Sequence, residues 1–392
     1  MGFHALIIGA GSTGAALAHD LTLRGYRVTV VERGEVASET TGRNHGLFHS
    51  GGRYAMRDPE AARECAEDNA IVRRIMPGLL ELNGGLFVAF NEEDLSYKDR
   101  FLEACANCGV PAQEIDVQEA LRMEPNLNPN ILAAVKVNDG VFDPFHFALA
   151  FLATAKANGA EVRTYTEVLD FTWSGRTVTG VHVRDRRTGK EYDIGADFVV
   201  NATGPWAGRI AAMAGLHLSV VPTAGVMVAV ARRWTRHVIN RLNMPGDGDI
   251  IVPQRRASVI GTTSWRVEDP DFIPIPDHDF QLMLHRAQEM VPDFNQAPVR
   301  GVSAAARPLV KTGGVVAGNE RWLSRGTYTF NHARDGVEGL FSIVGGKTTT
   351  ARFMAEQMAN FIGEAVGVDV PCRTKEVELL PYHAYYRLGG ER

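Results

Sequence analysis

Residues 4–32 of the chain read HALIIGAGSTGAALAHDLTLRGYRVTVVE. The run His4–Ile8 is almost wholly apolar, as a buried parallel strand requires, and Ala15–Arg24 carries apolar side chains at helical spacing. A second β-branched run, Arg27–Val31, ends at the acid Glu32. This order of strand, glycine turn, helix, strand and acid predicts a doubly wound, Rossmann-like α/β domain that binds a dinucleotide.

The turn between the first strand and the helix is Gly9-Ala10-Gly11-Ser12-Thr13-Gly14. Gly9 allows the tight turn, Gly11 lets the backbone approach a pyrophosphate, and Gly14 lets the helix pack closely on the strand. The helix N-terminus offers free N–H groups to the phosphates. Glu32 can accept hydrogen bonds from the ribose, which disfavours NADP, whereas these residues alone leave both NAD and FAD open.

The composition is that of a soluble protein large enough for two domains, with 392 residues, 45% hydrophobic and 22% charged. A formal net charge of −5 argues against a nucleic-acid partner. No basic and apolar leader precedes the first strand, and no apolar run approaches about 18 residues. The pair Cys105 and Cys108 lies in a helical pattern without a second pair, so we expect reduced thiols and no metal site. These features predict a cytoplasmic protein without a transmembrane helix.

The distribution of strands along the chain predicts its domains. Parallel-sheet patterns lie at both ends, and the middle is rich in strands and turns. We therefore expect a discontinuous nucleotide-binding domain formed by residues 1–80, 143–217 and 325–375. An inserted α+β substrate domain with a mixed sheet takes residues 81–142 and 218–324, and residues 376–392 form a tail. The active site is expected at the seam between the two domains.

Several further motifs carry a resemblance that extends over nearly the whole chain. They are TTGRNHGLFHSGGRY (residues 40–54), VVNATGPWA (199–207), IIVP (250–253), IGTTS (260–264), ARPLV (306–310) and GGKTTTAR (345–352). With the glycine turn, they resemble the FAD-dependent glycerol-3-phosphate dehydrogenases of the D-amino-acid-oxidase-like superfamily, most closely the large subunit of the anaerobic enzyme.

That resemblance implies non-covalent FAD and oxidation of sn-glycerol 3-phosphate to dihydroxyacetone phosphate by hydride transfer to flavin N5. It also implies that electrons pass to a quinone or to a partner subunit, with peripheral membrane association left open. The sequence departs from the family in two places. It contains no counterpart of the C-terminal cysteine-rich segment of the anaerobic large subunit, and GGKTTTAR differs from the usual residues after the lysine. The first departure leaves the electron route and the choice between dehydrogenase and oxidase open.

Oxidation of an alcohol by a flavin requires a base for the hydroxyl proton and cations for an anionic substrate. His49 is the best candidate for the base, since imidazole titrates near neutrality, and His332 is the alternative. The resemblance implies that Arg53 and Arg307 hold the substrate phosphate, with Tyr54 beside them. It also implies that Lys347 lies near flavin and substrate and polarises the developing carbonyl. The structural alternatives are a loop hydrogen bond for His49 and solvated charges for the three cations.

The expected FAD contacts extend beyond the glycine turn and Glu32. Thr40 and Thr41 can bond the pyrophosphate, and backbone N–H groups at Gly346 and Thr348 begin the last long helix, facing the flavin pyrimidine. The other expected contacts are Arg33, Asn44, Gly46, Leu47, Val168, Gly204 and Lys347. Arg43 and His45 are expected to be loop scaffolding.

Two other interpretations of the sequence stay open. The chain could be a related flavin enzyme that acts on another polyol phosphate or on a 2-hydroxy acid such as 2-hydroxyglutarate, because a dicarboxylate would also satisfy the cations. It could instead be a non-catalytic FAD-binding subunit, although the motifs HSGGRY, ARPL and GGK have no use without catalysis.

Overall fold

The structure is a computed structural model, and it describes residues 2–311 and 323–388. Its α-helices in these residues are α1 (Ser12–Leu23), α2 (Pro59–Ile75), α3 (Glu92–Asn107), α4 (Val117–Met123), α5 (Pro144–Ala157), α6 (Ala207–Met213), α7 (Asp277–Met290), α8 (Ala351–Val366) and α9 (Ala384–Arg387).

The strands of the described residues are distributed over the chain and form four sheets. They are β1 (His4–Ile8), β2 (Arg27–Val31), β3 (Leu47–Phe48), β4 (Leu80–Glu81), β5 (Gly85–Ala89), β6 (Ala112–Ile115), β7 (Ala133–Val137), β8 (Gly140–Phe142), β9 (Glu161–Arg163), β10 (Thr166–Ser174), β11 (Thr177–Asp185), β12 (Glu191–Gly195), β13 (Phe198–Asn201), β14 (Val220–Val230), β15 (Val238–Arg241), β16 (Ile250–Gln254), β17 (Ala257–Gly261), β18 (Trp265–Arg266), β19 (Val299–Val310), β20 (Thr327–Asn331) and β21 (Leu340–Gly345).

The predicted doubly wound sheet is present, with the strand order β20-β21-β13-β1-β2-β9. All of its pairings are parallel except that of the edge strand β20 with β21. One face packs on helices α1, α5 and α8, and the other packs on the three-stranded sheet β10-β11-β12. Because β1 is flanked by β2 on one side and β13 on the other, the crevice for a ligand lies beyond its C-terminal end.

The second large sheet is mixed and has nine strands, in the order β18-β14-β17-β16-β15-β5-β7-β6, with β19 also paired to β14. Helices α4 and α7 pack in one of its apolar clusters, and α3 packs in another. Its strands all lie within residues 81–142 and 218–324, and those of the six-stranded sheet lie outside them. Because each large sheet is confined to one of the two expected domains, we propose the two-domain division.

The glycine turn shows why the sequence needs glycine at two positions. Gly9 has a φ of 106°, which disfavours any side chain. A Cβ on Gly14 would lie 1.9 Å from the carbonyl oxygen of Gly9, so only glycine allows α1 to approach β1 this closely. This contact directs the first turn of α1 at the crevice.

The tail predicted from residue 376 is wrong for the described residues, which pack on the six-stranded sheet's helical layer. Leu379 is only 4% exposed, and its N–H donates to the Ile75 carbonyl at 2.7 Å. Tyr382 stacks on His146 of α5 with 3.5 Å between ring centroids. The sequence did not reveal this packing because the segment is short and its partners are distant in the chain. Among residues 2–311 and 323–388, no helix combines the length and apolarity needed to cross a bilayer.

We expect Leu379→Ala to lower the free energy of unfolding by about 2–5 kcal/mol, because it empties a buried site in the core. The matched control is Leu388→Ala, since Leu388 is 37% exposed and its loss should change stability by less than about 0.5 kcal/mol. Urea denaturation followed by circular dichroism measures both. Equal stabilities for the two variants would mean that the segment does not contribute to the core.

Candidate active site

A cavity of about 810 Å³ lies at the carboxyl end of the parallel sheet, between the two large sheets. The ends of β1, β2, β13 and β21 line one side, and residues of β14 and β19 line the other. Most of the predicted cofactor residues line it, namely Gly9, Gly11, Ser12, Thr13, Glu32, Arg33, Thr40, Thr41, Asn44, Leu47, Val168, Gly204, Gly346, Lys347 and Thr348. The cavity thus joins the dinucleotide turn to the segment of residues 40–54.

Three predicted cofactor residues lie behind the cavity wall instead. The N–H of Ala10 donates to Glu32 Oε2 at 2.9 Å, so Ala10 fixes the acid. Gly14 is covered by Gly9. The N–H of Gly46 donates to Asn44 Oδ1 at 2.7 Å, and a Cβ there would meet Gln254 Nε2. These residues shape the wall and do not face the cavity. The sequence alone does not distinguish a residue that contacts a ligand from one that supports such a residue.

The dinucleotide end of the cavity has the features that FAD requires. The carboxylate of Glu32 accepts hydrogen bonds from the N–H groups of Ala10 and Gly34, at 2.9 and 2.8 Å. Burial raises the pKa of Glu32, and these two N–H groups oppose the rise. Thr41 Oγ1 accepts from the N–H of Ser12 at 3.0 Å, at the start of α1. Gly11, Ser12 and Thr13 line the cavity at this helix end, and a helix N-terminus favours a phosphate.

Arg33 lines the dinucleotide end of the cavity and contacts residues that were not predicted to belong to the site. Its guanidinium forms an ion pair with Asp271 at 2.7 Å and lies 4.4 Å from the Trp206 ring centroid. Asp271 also pairs with Arg209 at 2.7 Å. Asp271 lies in the loop after β18, so only the tertiary structure brings it to the cavity.

His49 is held by its main chain from three directions. Its N–H donates to Thr349 Oγ1 at 3.1 Å, and its carbonyl accepts from Asn69 Nδ2 at 2.9 Å. The next N–H, that of Ser50, donates to the buried Asp139 at 2.7 Å. The imidazole Nε2 lies 3.4 Å from the Tyr54 hydroxyl. The ring is therefore fixed in the cavity wall, as a proton acceptor requires.

The electrostatic environment keeps His49 uncharged. Burial lowers its pKa well below the usual value, and the nearby His45, Lys347, Arg53 and Arg325 lower it further. A neutral imidazole is the form that can accept a proton.

Two of the predicted cations, Arg53 and Arg307, line the cavity. Arg53 pairs with Asp249 through Nη2 at 2.8 Å, but its Nη1 is buried and has no partner among the described residues. Burial, with a contribution from Arg325, lowers the pKa of Arg307 to about 9. Within the described chain, Arg307 donates to uncharged oxygens, on Thr223, Ala224, Thr262, Thr263 and Ser264. Such cations favour an anionic ligand.

Arg325 is a third cavity cation, which no sequence motif indicated. Its N–H donates to Asp58 Oδ2 at 2.8 Å, which fixes its main chain at the start of α2. Its guanidinium has no hydrogen-bond partner within residues 2–311 and 323–388. Burial lowers its pKa, and Arg53 lowers it as well. The only signal in the sequence was an arginine shortly before β20, outside any recognised motif.

Lys347 lines the cavity, but its ammonium group is directed towards α2. Nζ donates to Glu64 Oε2 at 2.9 Å and to the Ala61 carbonyl at 3.1 Å. Burial opposes its charge, but surrounding acidic groups, including Glu64, raise the pKa of Lys347. The charge of the lysine is therefore compensated by Glu64 in a fixed ion pair, and its polarising role stays a prediction.

The structure places the two other histidines of the sequence analysis differently from His49. His332, the alternative base, is 2% exposed and does not line the cavity. Its ring nitrogens contact Ser342 Oγ at 2.9 Å and Asp335 Oδ2 at 3.2 Å. His45, expected to be scaffolding, lines the cavity, whereas its neighbour Arg43 is exposed and pairs with Glu39 at 3.0 Å. The sequence alone did not show which of these side chains faces the cavity, because their orientation depends on strands that are distant in the chain.

Comparison with known proteins agrees with this geometry. A family model described as FAD dependent oxidoreductase matches residues 4–352. The A1 subunit of the anaerobic glycerol-3-phosphate dehydrogenase of Haloferax volcanii is 42% identical over 384 residues, which cover 95% of this chain and 66% of that protein. The corresponding A subunit of the Escherichia coli K12 enzyme is 40% identical over 377 residues, covering 95% and 69%. The chain spans about two thirds of the length of these relatives.

Solved structures give the same fold. The glycerol-3-phosphate dehydrogenase of Bacillus halodurans, complexed with FAD, has a TM-score of 0.74 at 25% identity and covers 98% of this chain and 70% of its own. L-alpha-glycerophosphate oxidase from Mycoplasma pneumoniae, with FAD bound, has a TM-score of 0.74 at 19% identity, covering 95% and 97%. FAD is therefore the cofactor, and the predicted resemblance is confirmed. The chain belongs to the FAD-dependent oxidoreductase family and, within it, groups with the A subunits of anaerobic glycerol-3-phosphate dehydrogenases.

Proposed function

We propose that the chain oxidises sn-glycerol 3-phosphate to dihydroxyacetone phosphate. The observation that carries this proposal is the placement of Arg53, Arg307 and Arg325 beside the neutral His49 in the cavity that also contains the dinucleotide turn. A phosphate monoester supplies negative charge to Arg307 and Arg325, which have no carboxylate partner among the described residues, and its carbon chain carries a hydroxyl for the base. The names of the relatives support the same substrate.

The chain's own residues bind the cofactor, orient the substrate and move one proton. The glycine turn, Glu32 and Thr41 would hold the adenosine and pyrophosphate, and Gly346 and Thr348 would hold the flavin end. FAD, when bound, supplies the hydride acceptor at N5. The arginines fix the phosphate and so position the secondary alcohol. The His49 imidazole takes the hydroxyl proton, and the Tyr54 hydroxyl, 3.4 Å from Nε2, steadies the ring.

The electrons leave to a quinone or to a partner subunit. Support comes from the relatives, which are named as A subunits. If the acceptor is a quinone, peripheral association with a membrane would bring the chain close to it. The rival substrates are another polyol phosphate and a 2-hydroxy acid such as 2-hydroxyglutarate, since both are anions with an oxidisable hydroxyl.

Anaerobic bleaching of the bound flavin tests the proposal directly. We expect glycerol 3-phosphate to bleach the purified FAD-loaded protein, whereas glycerol, which lacks the phosphate, does not. A soluble quinone should then reoxidise the flavin faster than dissolved oxygen does. Bleaching by 2-hydroxyglutarate alone would favour the hydroxy-acid rival, and no bleaching by any donor would favour a non-catalytic subunit.

Substitution of Arg307 tests the phosphate site. Arg307→Ala should lower kcat/KM for glycerol 3-phosphate, with a loss of transition-state stabilisation of about 2–4 kcal/mol, because a desolvated charge-assisted pair is lost. Arg307→Lys should recover only part of the loss, since an ammonium cannot bind two oxygens side by side. FAD content should not change. The exposed Arg43 gives the control Arg43→Ala, and equal kinetics for it and Arg307→Ala would place the phosphate elsewhere.

The pKa of His49 predicts a pH profile. Because burial and nearby cations lower this pKa, the imidazole stays neutral, and able to accept a proton, well below pH 6.5. We therefore expect kcat/KM, which reports the free enzyme, to show no loss from His49 between about pH 8 and 6.5. His49→Asn should lower kcat by roughly 10²–10⁴-fold. An acid limb near pH 7 that disappears in His49→Asn would contradict the lowered pKa.

A further inference from the structure

His45 lies in the cavity wall between the proposed base and the cationic residues. Its ring centroid is 6.5 Å from that of His49. Its main-chain carbonyl accepts a hydrogen bond from Gln254 Nε2 at 2.9 Å, which ties the loop to β16. Gly261 of β17 packs beside the ring, because a Cβ there would lie 3.7 Å from His45 Cδ2. The nine-stranded sheet therefore contacts both the main chain and the ring of His45.

A local hydrogen bond fixes the tautomer of this ring. The N–H of Leu47 donates to His45 Nδ1 at 3.1 Å, so Nδ1 must act as an acceptor. In the neutral imidazole the single proton is then on Nε2. Within residues 2–311 and 323–388, Nε2 has no hydrogen-bond partner, and the residue lines the cavity. Its N–H is thus available to a ligand.

The surrounding charges keep the ring neutral. Burial, with contributions from Arg307 of β19 and Arg53 of the loop, lowers the pKa of His45 to about 4. The other titratable neighbour is His49, itself neutral, whereas β14 and β17 contribute the uncharged Met227 and Gly261 to this wall. Because Arg307 and Arg53 are both proposed phosphate ligands, the His45 ring lies at the end of the cavity where we place the phosphate.

We propose that His45 is a substrate-binding residue that donates its Nε2–H to an oxygen of the substrate's phosphate. This assignment rests on the proposed function and deepens it. Glycerol 3-phosphate and a dicarboxylate such as 2-hydroxyglutarate carry the same charge, so guanidinium charge alone does not separate them. A neutral donor adds no charge but requires one more acceptor oxygen. A phosphate has three terminal oxygens and a carboxylate has two, so this donor favours the phosphate.

Calorimetric binding of dihydroxyacetone phosphate to the FAD-loaded protein tests the assignment without turnover. His45→Leu removes the donor at similar volume and should weaken binding about 10- to 100-fold, as for a hydrogen bond to a charged acceptor. His45→Gln keeps an N–H near the Nε2 position and should bind within a few-fold of the wild-type protein. Because the donor is neutral, the ratio of wild-type to His45→Leu affinity should be the same at pH 6.5 and pH 8.

FAD content and the melting temperature show whether each variant is folded, and His45→Ala serves if His45→Leu is not. Binding by His45→Leu within two-fold of the wild type overturns the assignment. So does an equal loss in His45→Gln, which would indicate a role for ring shape only, or a ratio that grows as the pH falls, which would indicate a charged imidazole. A wild-type protein that binds 2-oxoglutarate but no phosphate ester overturns the proposed function itself.

Discussion

The close contact between Gly14 and the Gly9 carbonyl is the constraint on which this structure depends. It lets α1 begin directly above the end of β1, because a Cβ on Gly14 would lie 1.9 Å from that oxygen. The helix N-terminus therefore points into the crevice between β2 and β13, where Glu32 is held by the Ala10 and Gly34 N–H groups. The rest of the cavity extends from this end, where we propose that the cofactor's phosphates bind.

The opposite end of the cavity is defined by positive charge withdrawn from water. Arg307 and Arg325 lack a carboxylate partner among the described residues, and such groups cost stability until an anion compensates them. The same charges, together with burial, hold His45 and His49 in their neutral forms. A neutral base beside a cationic pocket suits the oxidation of an anionic alcohol, since the substrate brings the compensating charge and the base is ready to accept the proton.

Local patterns in the sequence were enough for the fold and for the cofactor end. The glycine turn, Glu32 and the His49 loop depend on neighbours within a few residues or on a known motif. What the sequence did not reveal depends on distant contacts. Arg325 reaches the cavity because its main chain is tied to Asp58, and Lys347 is directed away by Glu64. The segment around Leu379 is packed because Ile75, about 300 residues earlier, offers its carbonyl.

We propose that one cavity holds FAD at the glycine turn and a phosphate at the cationic end. A crystal structure of the FAD-loaded protein with dihydroxyacetone phosphate measures this most directly. We expect phosphate oxygens within hydrogen-bond distance of the Arg53 and Arg307 guanidiniums, and the substrate's C2 oxygen beside His49. A phosphate bound outside these groups, or a C2 oxygen turned away from His49, would contradict it.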